Sequence, residues 1–222
     1  MNWLKEQNLS PEIAEKIIKD RVIAVLVIDE LKHAVPLAKA LVKGGVNTIE
    51  LTLRTPVALD ATKAIKNEVP EITLGVGTVL TSEQVEAVAK IGADFAVAPG
   101  CNPNVIKAAR ECGLSFAPGI MTPTDIEIAV ELGCRILKYF PAESSGGLKH
   151  LQSMVSPYQH LGLKFIPLGG LNIQNVSAYL QSSLIAAVGG SWIAKRSLIQ
   201  AENWDTIIQN AQEIRNLLID HI

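Results

Sequence analysis

The first feature of this 222-residue chain that could do chemistry is a lysine inside an apolar run. Lys138 stands in ILKYFPAESSGG, Ile136 to Gly147. Strand alternation puts it on the same face as Ile136 and Phe140, with Tyr139 pointing the other way. A lysine taken out of water among apolar groups loses proton affinity, and its amine then serves as a nucleophile near neutral pH. The purely structural uses of such a residue are to snorkel out to solvent or to pair with a carboxylate. IELTLRT, Ile49 to Thr55, offers that carboxylate. Its aliphatic residues Ile49, Leu51 and Leu53 fall on one face and Glu50, Thr52 and Arg54 on the other. If the aliphatic face packs against helices, Glu50 and Arg54 point inward, Arg54 nearer the top, and the structural reading is an internal ion pair between them or with another strand.

Two glycine pairs occur at matching places late in the chain, Gly169-Gly170 in IPLGGL and Gly189-Gly190 in VGGSW, the second followed by Ser191. They read either as tight turns or as a backbone cradle for phosphate, helped by the dipole of a following helix. Thr78 in GVGTVLT could donate to a carboxylate or simply begin a loop. Pro99-Gly100 and Pro118-Gly119 read as turn formers, and Pro141 as fixing the loop after Lys138. His33, His150, His160 and His221 are scattered without metal-ligand spacing, so no metal is expected. No Ser-His-Asp or Cys-His arrangement stands out.

Elements that could hold these residues together recur along the chain. Eight short apolar segments read as buried parallel strands: 22–27, 48–53, 72–76, 95–98, 114–117, 136–139, 165–167 and 185–188. Their mean spacing of about 23 residues leaves room for one helix and two loops each. Gly44-Gly45, Gly92, Gly113 and Gly133 precede strands, where a helix C-terminus favours positive φ. Capping boxes are expected at Thr81/Gln84 and Thr124/Glu127, and an N-cap at Asn172. Further helices are expected over residues 1–20 and 204–222. A doubly wound open sheet would carry a glycine-rich fingerprint after its first strand, but Val27-Ile28-Asp29-Glu30 has no glycine. The pattern therefore favours one domain, residues 1–222, folded as an α/β (β/α)8 TIM barrel with an additional N-terminal helix. In such a barrel the polar residues above would gather at the C-terminal ends of the strands.

Composition narrows the function classes. Hydrophobic residues make up 48% and charged residues 19%, which supplies a large core and argues against disorder. A net charge of −2 without a basic block argues against nucleic-acid and membrane-surface partners. The N-terminus lacks the apolar stretch of a signal peptide, and no run approaches the ~20 apolar residues of a membrane span. Three cysteines, odd in number and without a C-x-x-C pair, fit a reducing cytoplasm.

IELTLRT, GVGTVLT, FAVAPG, APGI, LKYFPAESSGG, LGGL and VGGSW, in this order, resemble the 2-dehydro-3-deoxy-6-phosphogluconate (KDPG) aldolase family, which also acts on 4-hydroxy-2-oxoglutarate. The resemblance runs from about the first strand to Trp192. It implies a class I aldolase of the Entner-Doudoroff pathway with a barrel fold, no cofactor and a homotrimeric assembly. By the same resemblance Lys138 is the Schiff-base lysine and Glu50 the general acid/base. Arg54 and Thr78 hold the pyruvate carboxylate, Pro99 and Phe140 shape the pocket, and Gly169, Gly170, Gly190 and Ser191 take the phosphate. Leu168 departs from the family, which usually has threonine there. The related 2-dehydro-3-deoxy-6-phosphogalactonate aldolases carry an apolar residue, so the C4 stereochemical preference stays open. Tyr139 where phenylalanine is common is a milder departure. Two competing readings remain: a phosphate-binding barrel isomerase or epimerase with Glu50 as base, and a catalytically silent sugar-phosphate binder.

Overall fold

The computed structural model describes residues 8–219. Among these residues nine strands and ten α-helices follow in order, alternating except where β6 directly follows β5 and α10 follows α9: α1 (Pro11–Asp20), β1 (Val22–Leu26), α2 (Ala34–Lys43), β2 (Thr48–Thr52), α3 (Ala58–Glu68), β3 (Thr73–Gly77), α4 (Ser82–Ile91), β4 (Phe95–Val97), α5 (Pro103–Glu111), β5 (Ser115–Ala117), β6 (Gly119–Ile120), α6 (Pro123–Glu131), β7 (Ile136–Tyr139), α7 (Gly147–Val155), β8 (Lys164–Pro167), α8 (Val176–Leu180), β9 (Val188–Gly190), α9 (Arg196–Gln200) and α10 (Trp204–Ile219). All pairings are parallel, in a six-stranded sheet ordered β5-β4-β3-β2-β1-β9 and a three-stranded sheet ordered β6-β7-β8.

One uninterrupted ring of eight strands was expected, and the structure differs from it at two places. Pro118, which has no amide to donate, divides the fifth strand into β5 and β6, one in each sheet. Pro118-Gly119 is therefore a strand interruption rather than a turn. The second difference lies beyond β8, where pairing shrinks to one bridge, Phe165 with Ile185. The chain then crosses over, and Val188–Gly190 pairs with β1. The last strand is accordingly shifted from the expected 185–188, and Gly189-Gly190 lies inside it.

Two apolar clusters follow from strand alternation. The larger lies between strands and helices and includes Ile49, Leu51, Leu137 and Tyr139. The smaller is interior: Ile23, Phe95, Val97, Ala117, Ile136, Ile166, Leu168, Ala186 and Ala187, with Val25 and Phe140 against it. Leu9, Ile13, Ala14 and Ile17 complete this second cluster, so α1 covers the N-terminal end of the strands. Burying several aliphatic side chains there contributes about 1.5–3 kcal/mol each before the cost of ordering.

Asn8 ties the two sheets together below Pro118. Its side chain donates to the carbonyls of Phe116 (2.5 Å) and Ile136 (2.9 Å) and accepts from the amides of Arg135 (2.9 Å) and Ile136 (3.3 Å). Its own carbonyl accepts from the Phe116 amide at 2.7 Å. The leading helix thus starts at Pro11, capped by Ser10, and Asn8 lies outside it; residues 1–7 of the expected helix lie outside the described residues, as do 220–222 of the last one. Other helix starts also shift. The Thr81/Gln84 box is present, but α6 is boxed by Thr122 and Asp125 with Pro123 in the first turn, two residues before the expected Thr124. α8 begins at Val176, after a turn in which Asn172 accepts from the Gln174 amide. Gly45, Gly92, Gly113 and Gly133 take positive φ before strands as expected, whereas Gly44 stays helical at −80°. All three cysteines are free, and burial pushes the Cys134 thiol up to about 12.

Candidate active site

Lys138 and Glu50 meet in the interior, Lys138 one residue before the end of β7 and Glu50 midway along β2. Lys138 Nζ lies 3.0 Å from Glu50 Oε1 and 3.4 Å from Oε2, with the residues 5% and 2% exposed. A pair this dry is held by its mutual attraction, and removing one partner strands the other charge. Of the two ion pairs considered for this face, Glu50 with Arg54 or Glu50 with another strand, the second forms, with Lys138 as the partner. Gly77 makes room for it, since a Cβ there would stand 2.0 Å from Glu50 Oε1. The Phe140 ring faces the lysine, its centroid 5.4 Å from Nζ.

Above this pair opens a cavity of roughly 230 Å³. Ten of the eleven residues singled out from the sequence line it: Glu50, Arg54, Thr78, Pro99, Lys138, Phe140, Leu168, Gly169, Gly190 and Ser191. Gly170 does not, and sits one residue behind the rim. Val25 and Thr52 line the cavity without having been singled out. Thr52 is buried, donates to the Leu26 carbonyl at 3.0 Å, and accepts from Arg54 Nε at 3.1 Å. It therefore steers the exposed guanidinium over the cavity. Its place on the Glu50 face of IELTLRT was the available signal.

Thr78 holds φ +62°, a left-handed conformation that costs a non-glycine residue about 1–2 kcal/mol. Such strain persists where surrounding structure fixes it, and sites are where it collects. Leu168 is 4% exposed and packs against Gly189, where a Cβ would stand 2.6 Å from its Cγ. The cavity wall at this point is therefore aliphatic. The expected helix-dipole contribution behind the glycine pairs is absent: α8 and α9 are five residues long and begin at 176 and 196. Any anion there would meet backbone amides and Ser191.

The cavity thus brings together an amine, which once neutral can add to a carbonyl carbon, a carboxylate beside it that can exchange a proton, and a guanidinium at the rim that can pair with an anion. Among the described residues no group of three or more His, Cys, Asp or Glu could hold a metal ion. A larger cavity, roughly 530 Å³, runs past Gln159, Lys164 and Ser183, with Lys164 bonded to the Ser183 carbonyl. It offers no comparable nucleophile–carboxylate pair.

The sequence profile of KDPG and KHG aldolases matches residues 13–210, nearly all the described chain. The chain belongs to this aldolase family. Among its relatives, the 2-dehydro-3-deoxy-phosphogluconate aldolase of Haemophilus influenzae is 37% identical over 207 residues, covering 93% of this chain and 97% of that one. The KHG/KDPG aldolase of Escherichia coli K12 is 41% identical over 192 residues, 86% and 89% of the two chains. A crystal structure of KDPG aldolase from Legionella pneumophila, with pyruvate captured at low pH as a covalent carbinolamine intermediate, superposes with a TM-score of 0.86. It is 35% identical and covers 90% of this chain and 96% of its own. The family's members are lyases, and the family fold agrees with the parallel α/β architecture described above.

Proposed function

We propose that this aldolase cleaves KDPG to pyruvate and glyceraldehyde 3-phosphate through a Schiff base on Lys138. The observation that carries the reading is the buried Lys138–Glu50 pair at 3.0 Å beneath the cavity. Glu50 stands where it can take the proton that Lys138 must lose. The amine then attacks the C2 ketone, giving a carbinolamine that expels water to form an iminium. Glu50, directly or through a water, removes the C4 hydroxyl proton. The C3–C4 bonding pair moves into the iminium as an enamine, and the aldehyde leaves. Protonation at C3 and hydrolysis of the iminium release pyruvate and return the amine. Arg54, steered by Thr52, and Thr78 bind the carboxylate. Pro99 and Phe140 bound the pocket, while Gly169, Gly170, Gly190 and Ser191 serve the phosphate end. No cofactor takes part.

Borohydride added with pyruvate tests the mechanism: a stable adduct on Lys138 is expected. An isomerase or epimerase using Glu50 alone gives none, and its absence from folded, active protein would sink the aldolase mechanism. Glu50→Gln is expected to lower kcat by about 10²–10⁴-fold, as for loss of a general acid/base, measured by pyruvate release.

Leu168 favours a second reading in which the enzyme also accepts the galactonate epimer. An aliphatic wall offers no hydroxyl to discriminate at C4, and losing such a bond relaxes selectivity more than it slows chemistry. KDPG is expected to be preferred, less strictly than in threonine-bearing enzymes, and Leu168→Thr should sharpen the ratio of the epimers' kcat/KM. An unchanged ratio would remove this argument. Cleavage of 4-hydroxy-2-oxoglutarate to pyruvate and glyoxylate belongs to the same proposal.

The same reading takes residues 1–222 as one domain, a closed (β/α)8 barrel that assembles as a homotrimer in the cytoplasm. The Asn8 bridge and the Phe165–Ile185 pairing support closure at the two breaks. No helix among the described residues is long and apolar enough to cross a membrane.

A further inference from the structure

Glu143, in the FPAESSGG loop after β7, takes no part in the chemistry above, yet it holds an unusual position. A carboxylate next to a proposed phosphate cradle should repel the ligand. Here both of its oxygens are engaged: Oε1 accepts from the hydroxyl of buried Tyr179, and Oε2 accepts from Asn175 Nδ2 at 3.1 Å. Burial and then this carboxylate push the Tyr179 hydroxyl up, so it remains a donor. The same Asn175 Nδ2 donates to the Gly170 carbonyl at 3.1 Å, while Asn175 Oδ1 accepts from the Asn172 amide at 2.8 Å. The Glu143 amide meanwhile donates to the Gly169 carbonyl at 3.0 Å.

Two successive peptide planes are thereby fixed. In a trans peptide the carbonyl and the next amide point in opposite directions. Holding the carbonyls of Gly169 and Gly170 turns the amides of Gly170 and Leu171 away from Glu143 and Asn175. Among the described residues neither amide donates to a backbone carbonyl. The packing demands glycine here. Gly169 and Gly170 have φ +95° and +86°, and a Cβ on Gly170 would stand 2.6 Å from Glu143 Cβ.

Resting on the proposed phosphate end, we propose that Glu143 is a positioning residue for the substrate's phosphate, acting through Asn175 and the loop backbone to aim the amides of Gly170 and Leu171. The sign of its effect separates this role from simple electrostatics. Removing a nearby negative charge should tighten anion binding; removing a positioning residue weakens it.

The test is calorimetric titration of inorganic phosphate into the intact enzyme and into Glu143→Ala, Glu143→Gln and Tyr179→Phe. Wild type binds, Glu143→Ala is expected to bind about tenfold more weakly, and the other two fall between, in line with loss of one or two charge-assisted bonds. With substrate, the KM for KDPG should rise by about the same factor while kcat falls far less. The KM for unphosphorylated 4-hydroxy-2-oxoglutarate should move much less. Equal or tighter phosphate binding by Glu143→Ala overturns the proposal, as does equal KM loss on both substrates or no phosphate binding by wild type. If Glu143→Ala does not fold, Tyr179→Phe decides on the same readouts. Failure of the aldolase reading itself shows separately, as no pyruvate adduct on wild-type Lys138 while the phosphate affinities still differ.

Discussion

Lys138→Met is expected to lower kcat on KDPG by on the order of 10⁴-fold or more and to abolish the borohydride-trapped pyruvate adduct. A covalent nucleophile has no substitute within reach: among the described residues the lysine is the only amine lining the cavity, and Arg54, at the rim, carries a guanidinium. Such a loss corresponds to about 5.5 kcal/mol of transition-state stabilisation. The variant also strands Glu50, 2% exposed and left without its partner at 3.0 Å. Breaking a buried pair from one side destabilises by about 3–5 kcal/mol, whereas removing both charges is far milder. Lys138→Met/Glu50→Gln should therefore melt above Lys138→Met while staying equally inactive. Measuring kcat, adduct mass and Tm on both variants separates chemistry from stability. A Lys138→Met enzyme retaining more than about a hundredth of wild-type kcat would remove the Schiff base from the mechanism.

Asn8→Ala carries the second large expectation, a loss of about 2–4 kcal/mol in stability with little direct effect on the cavity. Four side-chain hydrogen bonds disappear, each with a net value near 1 kcal/mol. The partners are backbone groups of Phe116, Arg135 and Ile136 at the seam between the two sheets, and alanine reaches none of them. For a chain of this size the midpoint should fall by roughly 5–15 °C by circular dichroism. Asn8→Asp keeps the acceptor and loses the two donations, so it should fall between. A midpoint within about 2 °C of the parent would show that the seam does not depend on Asn8.

These two residues mark how much could be read from the sequence. Lys138 was legible because a charge in an apolar strand violates the burial rule, and alternation alone placed it on the face of Ile136 and Phe140. Glu50 was legible by the same parity, and the two meet in the structure. Asn8 was not, because its bonds reach 108 to 128 residues along the chain and no local pattern encodes that. It read as part of a helix. In the sequence Pro118 reads as a turn former, because its missing amide matters only once a neighbouring strand is known. The α6 start was two residues off, although Pro123 at the first helical position was a usable cue for Thr122 as the cap. Thr52 and Glu143 act on other residues rather than on a ligand, and sequence patterns seldom reveal such second-hand roles. The glycine pairs were visible, but the helix dipole attributed to them was not there.

The seal that α1 forms under the strands sets the traffic of the proposed reaction. With Leu9, Ile13, Ala14 and Ile17 packed with Ile23, Phe95 and Ile136, apolar side chains fill the N-terminal end of the strands, and the cavity lies toward the other end, past Arg54 and Ser191. In the proposed reaction substrate and products share that end and pass it in turn. In the proposed reaction the pyruvate portion stays bonded to Lys138 until the C3–C4 bond has broken and the aldehyde has formed. The aldehyde must therefore depart before water can return to free pyruvate. In the synthetic direction the queue reverses: pyruvate enters first and the aldehyde second. Steady-state product inhibition should accordingly follow an ordered pattern, with pyruvate competing against KDPG and glyceraldehyde 3-phosphate acting on the form already loaded.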